Sequence, residues 1–176
     1  MYIVANHGAV LNVQLGASDF IVFKDVTICH SGMSLPAKFK ENAPNDPKYC
    51  MDGSAKAIRE FEINEHSDCC VMVHSGGVLL RNCTLTLKSH QNNLKSRLPA
   101  IVALPRTFIN MTSCKVLGHD QNHNGGCILI NSDAFISDCS FEDFTSGAIF
   151  CIAKPDNVVS IQDSQISNCS VNGIYL

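Results

Sequence analysis

SDAFISDCSFEDF, residues 132–144, and DNVVSIQDSQISNC, residues 156–169, carry the same chemistry in the same order. Both set apolar residues two apart, then an aspartate followed by a small residue (Cys139 or Ser164), then an apolar residue two further on. Two more stretches align with them: RTFINMTSCKVLG at 106–118 and GGVLLRNCTLTL at 76–87. The copies align on Cys83, Cys114, Cys139 and Ser164; the last two intervals are equal and the first is slightly longer. DFIVFKDVTICHSG at 19–32 is a fifth copy, aligned through Val26, which precedes Cys83 by more than twice that interval. The gap has room for two coils, or for one coil with a long insertion. A period near 25 built from short strands predicts a solenoid of β-coils.

The columns of the alignment give the face of each residue. One column reads Ile21, Val78, Ile109, Ala134, Val159; two positions on, Phe23, Leu80, Met111, Ile136, Ile161. The step then becomes three, to Val26, Cys83, Cys114, Cys139, Ser164, and returns to two at Ile28, Leu85, Val116, Phe141, Ile166. Period two is the side-chain alternation of a strand, and the step of three marks a bend. Lys24, Arg81, Thr84, Lys115, Ser137 and Ser140 fall between the apolar positions and suit an outward face. Inward residues are therefore expected to stack coil on coil, about 4.8 Å apart. A second set of strands is expected at 69–73, 100–104, 125–130, 147–152 and 172–176, with 8–13 as a further candidate. Only SAKAIREFEI, 54–63, has a helical pattern.

The pattern G-x-[LIV]-x-[LIV]-x-[DN]-C-x-[LFV], repeated once per coil, resembles the right-handed parallel β-helix of the pectate-lyase-like superfamily. The cysteine-rich, low-charge version here is most similar to the β-helix regions of eukaryotic Shc-binding and F-box-type proteins. The resemblance covers 18–32 and 68–176. It implies an all-β, right-handed parallel β-helix (a solenoid) wound into three faces, each coil taking a period near 25 in sequence. The expected organisation is one β-helix domain over 1–176, with two long inserted loops at 33–66 and 89–99. Both chain ends read as interrupted strands, so a piece of a longer protein or an end-stacking unit is expected. Parallel strands covered on both sides read as continuous apolar runs, whereas these alternate, and an outer face open to solvent would explain that.

Composition narrows the function classes. The chain has 176 residues, is 45% hydrophobic and 16% charged, and carries a net charge of −3. That excludes disorder. Without a basic run, nucleic acid and anionic membranes are not expected partners, and the apolar runs are too short to span a bilayer. Ten cysteines are present. Three occupy one inward column, where a thiol acts as a small hydrophobe, and in-register stacking holds Cβ atoms farther apart than a disulfide prefers. With no C-x-x-C pair, and with Cys69 and Cys70 expected on opposite faces of a strand, reduced thiols and a cytoplasmic location are expected. A cytoskeletal association is one form of that location, and secretion is the alternative.

The sites that could carry chemistry are few. GHDQNHNGG, 118–126, holds His119, Asp120 and His123 in a segment longer than its counterpart in the next coil. A loop fixes no ligand geometry, so a loop rather than a metal site is expected. His30, His66, His74 and His90 form no constellation. By resemblance to polygalacturonase-like members, Asn131-Ser132-Asp133 imitates an N-x-D and Gly118-His119-Asp120 half-imitates a G-H-G, while the paired D-D and the R-x-K are missing. Asp25, Asp138 and Asp163 share one column with Asn82 and Ser113. That column suits acid–base chemistry, or turn residues that accept backbone hydrogen bonds. The sequons at Asn82, Asn110 and Asn168 read as turn positions. No catalytic, metal or cofactor set is expected. The expected function is a non-catalytic scaffold that binds other proteins within a larger assembly or longer chain. The alternative is a carbohydrate-active enzyme or glycan-binding β-helix. An exposed aromatic stripe would favour that alternative, but the chain has no tryptophan.

Overall fold

The structure, a computed structural model, describes residues 1–5, 9–30, 69–87, 99–118, 125–144, 147–169 and 173–175. It is an all-parallel β-helix of three strand sets. The first sheet stacks β1 (Tyr2–Ala5), β4 (Thr27–His30), β6 (Thr84–Leu87), β9 (Lys115–Leu117), β12 (Ser140–Glu142) and β15 (Gln165–Ser167). The second stacks β2 (Ala9–Gln14), the first half of β5 (Cys69–Arg81), β7 (Pro99–Ala103), β10 (Gly125–Ile130), β13 (Gly147–Ile152) and β16 (Ile174–Tyr175). The third stacks β3 (Phe20–Lys24), the second half of β5, β8 (Thr107–Thr112), β11 (Asp133–Ser137) and β14 (Val159–Gln162). The strand β5 passes from the second sheet to the third through Gly76, whose φ of 74 only glycine adopts freely. A Cβ there would also come within 2.8 Å of the Asp19, Gly16 and Leu15 atoms packed against it.

The aligned columns are the observed register. Ile21 pairs with Val78, Val78 with Ile109, Ile109 with Ala134 and Ala134 with Val159. In the first sheet Ile28, Leu85, Val116, Phe141 and Ile166 stack in turn. The middle coils bury these side chains completely, whereas Ile21 is 38% exposed and Val159 half-buried at the outer strands of the third sheet. A solenoid residue loses its water only to neighbouring coils, so burial grades along the axis. Each fully buried Leu or Ile of these columns contributes roughly 1.5–3 kcal/mol.

The long interval between Val26 and Cys83 is one coil, not two. The Thr84 amide donates to the Val26 carbonyl at 3.0 Å, and Ile28 pairs directly with Leu85. The surplus residues therefore fall between β4 and β5. The expected loops at 33–66 and 89–99, and the helical pattern at 54–63, lie outside the described residues. Residues 9–14 join the second sheet as expected.

Solvent on the outer face explains the alternation in the third sheet but not in the second. All five residues of β7 are buried, as are Gly147 to Cys151 of β13. The inward set includes Val71, Ile101, Cys127 and Ile149, yet the intervening Met72, Val102, Ile128 and Phe150 are also at most 1% exposed. CVMV, AIVA and AIFC are continuous apolar runs, the signature of a parallel strand covered on both sides.

Candidate functional site

The bend between the third and first sheets is one residue in the left-handed region in every coil. Asp25, Asn82, Ser113, Asp138 and Asp163 have φ values of 56, 50, 52, 52 and 48. A single left-handed residue reverses the strand's alternation, so the inward position comes three residues on rather than two. Asn and Asp tolerate this conformation best after glycine, which accounts for the residue types in this column. In-register stacking brings the bends of adjacent coils together. The Asn82 amide donates to the Asp25 carboxylate at 2.6 Å, and the Ser113 hydroxyl to the Asp138 carboxylate at 2.7 Å. At the bend into the second sheet, Asn168 donates to Asp143 at 3.0 Å. Among the described residues, these side chains do not accept the expected hydrogen bonds from turn amides. The bend side chains bond one another across coils, because parallel in-register stacking sets matching bends side by side.

These carboxylates are exposed, and two of the three in the column are held in side-chain pairs. Asn82→Gly should cost only a few tenths of a kcal/mol, since glycine relaxes the backbone while losing one exposed hydrogen bond. Asn82→Val should cost about 2 kcal/mol, because a β-branched residue opposes positive φ. Urea midpoints at constant m-value measure both. Equal losses would show that backbone conformation does not choose this residue.

The remaining candidates separate. Asp133 accepts hydrogen bonds from the Val158 amide at 2.9 Å and the Asn157 side chain at 3.3 Å, and so secures the turn of the next coil. Asn131 holds another left-handed bend with φ 46, and Ser132 is buried. Gly118 donates its amide to the Glu142 carbonyl at 2.9 Å, and any Cβ on it would collide with the Asp143 carbonyl. Its part in the G-H-D stretch is thus close packing between coils. His119, Asp120 and His123 lie outside the described residues, as do His66 and His90. Among the described residues, no three His, Cys, Asp or Glu side chains are placed to hold a metal. His30 is fully buried in the first sheet, and His74 is half-buried in the second.

The cysteine column faces inward as expected. The nine described cysteines are thiols rather than disulfides, and Cys83, Cys114 and Cys139 are 1–2% exposed. Cys114 donates to the Leu80 and Thr112 carbonyls at 3.3 Å each, and its amide points at the Cys139 sulfur at 3.4 Å. The thiol hydrogen bond between Cys114 and Cys139, with burial adding to it, pushes the Cys114 thiol well up, while the same bond holds Cys139 lower. Burial is the main cause that pushes Cys127 up, and it pushes Cys70 up to about 12. Cys70 lies in the central core while Cys69 packs with Met72 and Val102 on the other side of the strand, as expected.

The feature the sequence reading missed is the outer face of the third sheet. Along β3 the outward residues are Phe20, Val22 and Lys24; Gly77, Leu79 and Arg81 follow on β5, and Phe108, Asn110 and Thr112 on β8. Phe135 stands beside Asn110 on β11. Phe20, Val22 and Phe135 are 55%, 47% and 46% exposed. The Phe108 ring lies over Gly77, where any Cβ would meet it, and this lets it reach Phe20 two strands away at 6.2 Å, edge to face. A usable signal was present: in FIVF and AFIS, apolar residues occupy both parities of an alternating strand. The column alignment places one parity inward, which puts Phe20, Val22 and Phe135 on the outer side.

Residues 50–176 match the model of the family described as "Right handed beta helix region". Neither the curated proteins nor the solved structures contain a match. The family model, the parallel registers and the single-residue bends agree, and the chain belongs to the right-handed β-helix family.

Proposed function

We propose that this β-helix is a non-catalytic scaffold that binds other proteins. Its use would be similar to that of the β-helix regions of Shc-binding and F-box-type proteins within the pectate-lyase-like superfamily, and its location cytoplasmic. The observation that carries this reading is the exposed apolar strip that runs from Phe20 and Val22 past Leu79 and Phe108 to Phe135 on one continuous parallel sheet. Large exposed apolar side chains grouped together mark interaction surfaces. The engagement of Asp25, Asp138 and Asp133 in the fold's own hydrogen bonds supports the non-catalytic part.

The paired rings of Phe20 and Phe108 favour one other reading, a glycan-binding β-helix, since aromatic faces also stack on sugars. Photo-crosslinking separates the two. A benzoyl-phenylalanine at position 135, introduced in cells, should give discrete protein adducts, and the same group at Gln165 should not. In parallel, D138N/D163N and H119A/H123A variants should show no loss of polyuronide turnover or of bound metal by elemental analysis. Turnover abolished by D138N/D163N, or a stoichiometric metal abolished by H119A/H123A, would replace the scaffold reading with an enzymatic one.

A further inference from the structure

We infer that the outer face of the third sheet docks an extended acidic–apolar peptide segment, a conclusion that rests on the protein-binding reading above. The face is a grid set by strand register. Phe20, Val22, Leu79 and Phe108 occupy one end, with Phe135 beside them, and Lys24 and Arg81 occupy the other. Lys24 and Arg81 are directly paired on neighbouring strands, about 4.8 Å apart at the backbone. Both are exposed, and among the described residues neither side chain has a hydrogen bond or ion pair. Like charges directly opposite on a sheet repel. Lys115, on the first sheet, shows the contrast: it is balanced by Glu142 at 3.2 Å. The chain as a whole is acidic, with a net charge of −3, so two adjacent unbalanced cations beside exposed phenylalanines are a local exception.

This charge arrangement selects the partner's chemistry. Along β3 the outward residues Phe20, Val22 and Lys24 repeat every second residue, roughly 6.6 Å apart. An extended segment laid along the strands presents its own alternate residues at the same interval. Apolar side chains would cover Val22, Leu79 and the Phe20–Phe108 pair, and a carboxylate two residues further on would sit between Lys24 and Arg81. A polyuronide fits less well. It carries a carboxylate on every sugar, whereas the cations here are confined to one end. The rest of the face is apolar or neutral (Asn110, Thr112, Ser137, Ser160 and Gln162) except for Asp133 beside Phe108, whose carboxylate is taken by the Val158 amide and the Asn157 side chain.

The test uses the whole 176-residue chain and three fluorescent probes followed by anisotropy. The first is a decapeptide with leucine at two alternate positions followed by glutamate at the next two, with serine between. The second has lysine in place of glutamate, and the third is a hexameric oligogalacturonate. The acidic peptide should bind at least tenfold more tightly than the lysine peptide and the oligogalacturonate. The double variant K24E/R81E, both at exposed positions, should lose that preference or reverse it. F135S should weaken both peptides several-fold, with unfolding cooperativity retained as the check on folding. Binding should also weaken as salt rises from about 50 to about 500 mM. Equal binding of both peptides, unaffected by K24E/R81E, would overturn the acidic partner while leaving a protein-binding face. Binding of the oligogalacturonate with neither peptide bound would overturn both readings.

Discussion

Cys114→Asp is expected to cost more than about 4 kcal/mol, enough to prevent folding of a domain of ordinary stability. Cys114 is 2% exposed and lies between Cys83 and Cys139 in the column that heads the first sheet. Its thiol donates to two carbonyls, and a carboxylate placed there would face those oxygens with no proton to offer. An unpaired buried charge either pays the full desolvation cost or takes up a proton, and both outcomes are expensive. Cys114→Val should lose no more than about 1.5 kcal/mol. The fold already contains the comparison, since Val26 occupies the same column in an earlier coil at 5% exposure. Urea denaturation of both variants measures the difference, and similar stabilities would show that the column does not face inward. Thiol labelling gives an independent readout, because the thiolate is the reactive form. Half-buried Cys169 should react ahead of Cys70, Cys114 and Cys127, whose thiols are buried and pushed up, until denaturant exposes them all.

Gly126→Ala should be the other severe substitution, at about 3 kcal/mol. A Cβ on Gly126 would collide with the Ala148 carbonyl oxygen of the next coil and lie 3.0 Å from the Phe141 ring. Backbone in an in-register ladder has nowhere to move without breaking pairs on both sides. Gly77→Ala makes a useful contrast, because its Cβ would meet the Phe108 ring on the outer face. That ring is a half-buried side chain on the outer face rather than ladder backbone, so it can be displaced and the cost should stay below about 1 kcal/mol, while the Phe20–Phe108 contact is lost. Thermal unfolding of the two variants checks the order. If Gly77→Ala proved the more damaging, close approach between coils would not be what demands glycine at 126.

Legibility followed how local the signal was. The inward columns could be read residue by residue, because one face of a strand must be apolar wherever it stacks. Cys83, Cys114 and Cys139 declared themselves through identical spacing from their apolar neighbours. The interval before Cys83 could not be divided by counting alone: only the direct pairing of Ile28 with Leu85 makes it a single coil. The bend column was recognised, but the partners of its side chains were not. Asn82 reaches Asp25, far away in sequence, because parallel stacking makes them neighbours.

The sequence by itself determined the solenoid, its period, its inward columns and the burial of the cysteines within them. All of these follow from periodicity and from the few residue types that a stacked interior or a left-handed bend accepts. Tertiary structure alone decided which outward faces are open. Met72, Val102, Ile128 and Phe150 are as apolar as Phe20, Val22 and Phe135, yet the first four are buried and the last three are exposed. Alternation records only which side of its own strand a residue occupies. A run that is apolar at both parities does not settle whether its outer side is covered. CVMV and FIVF read alike, yet Met72 is buried and Phe20 and Val22 are exposed, because coverage is decided by what packs on that side and not by the strand's own residues.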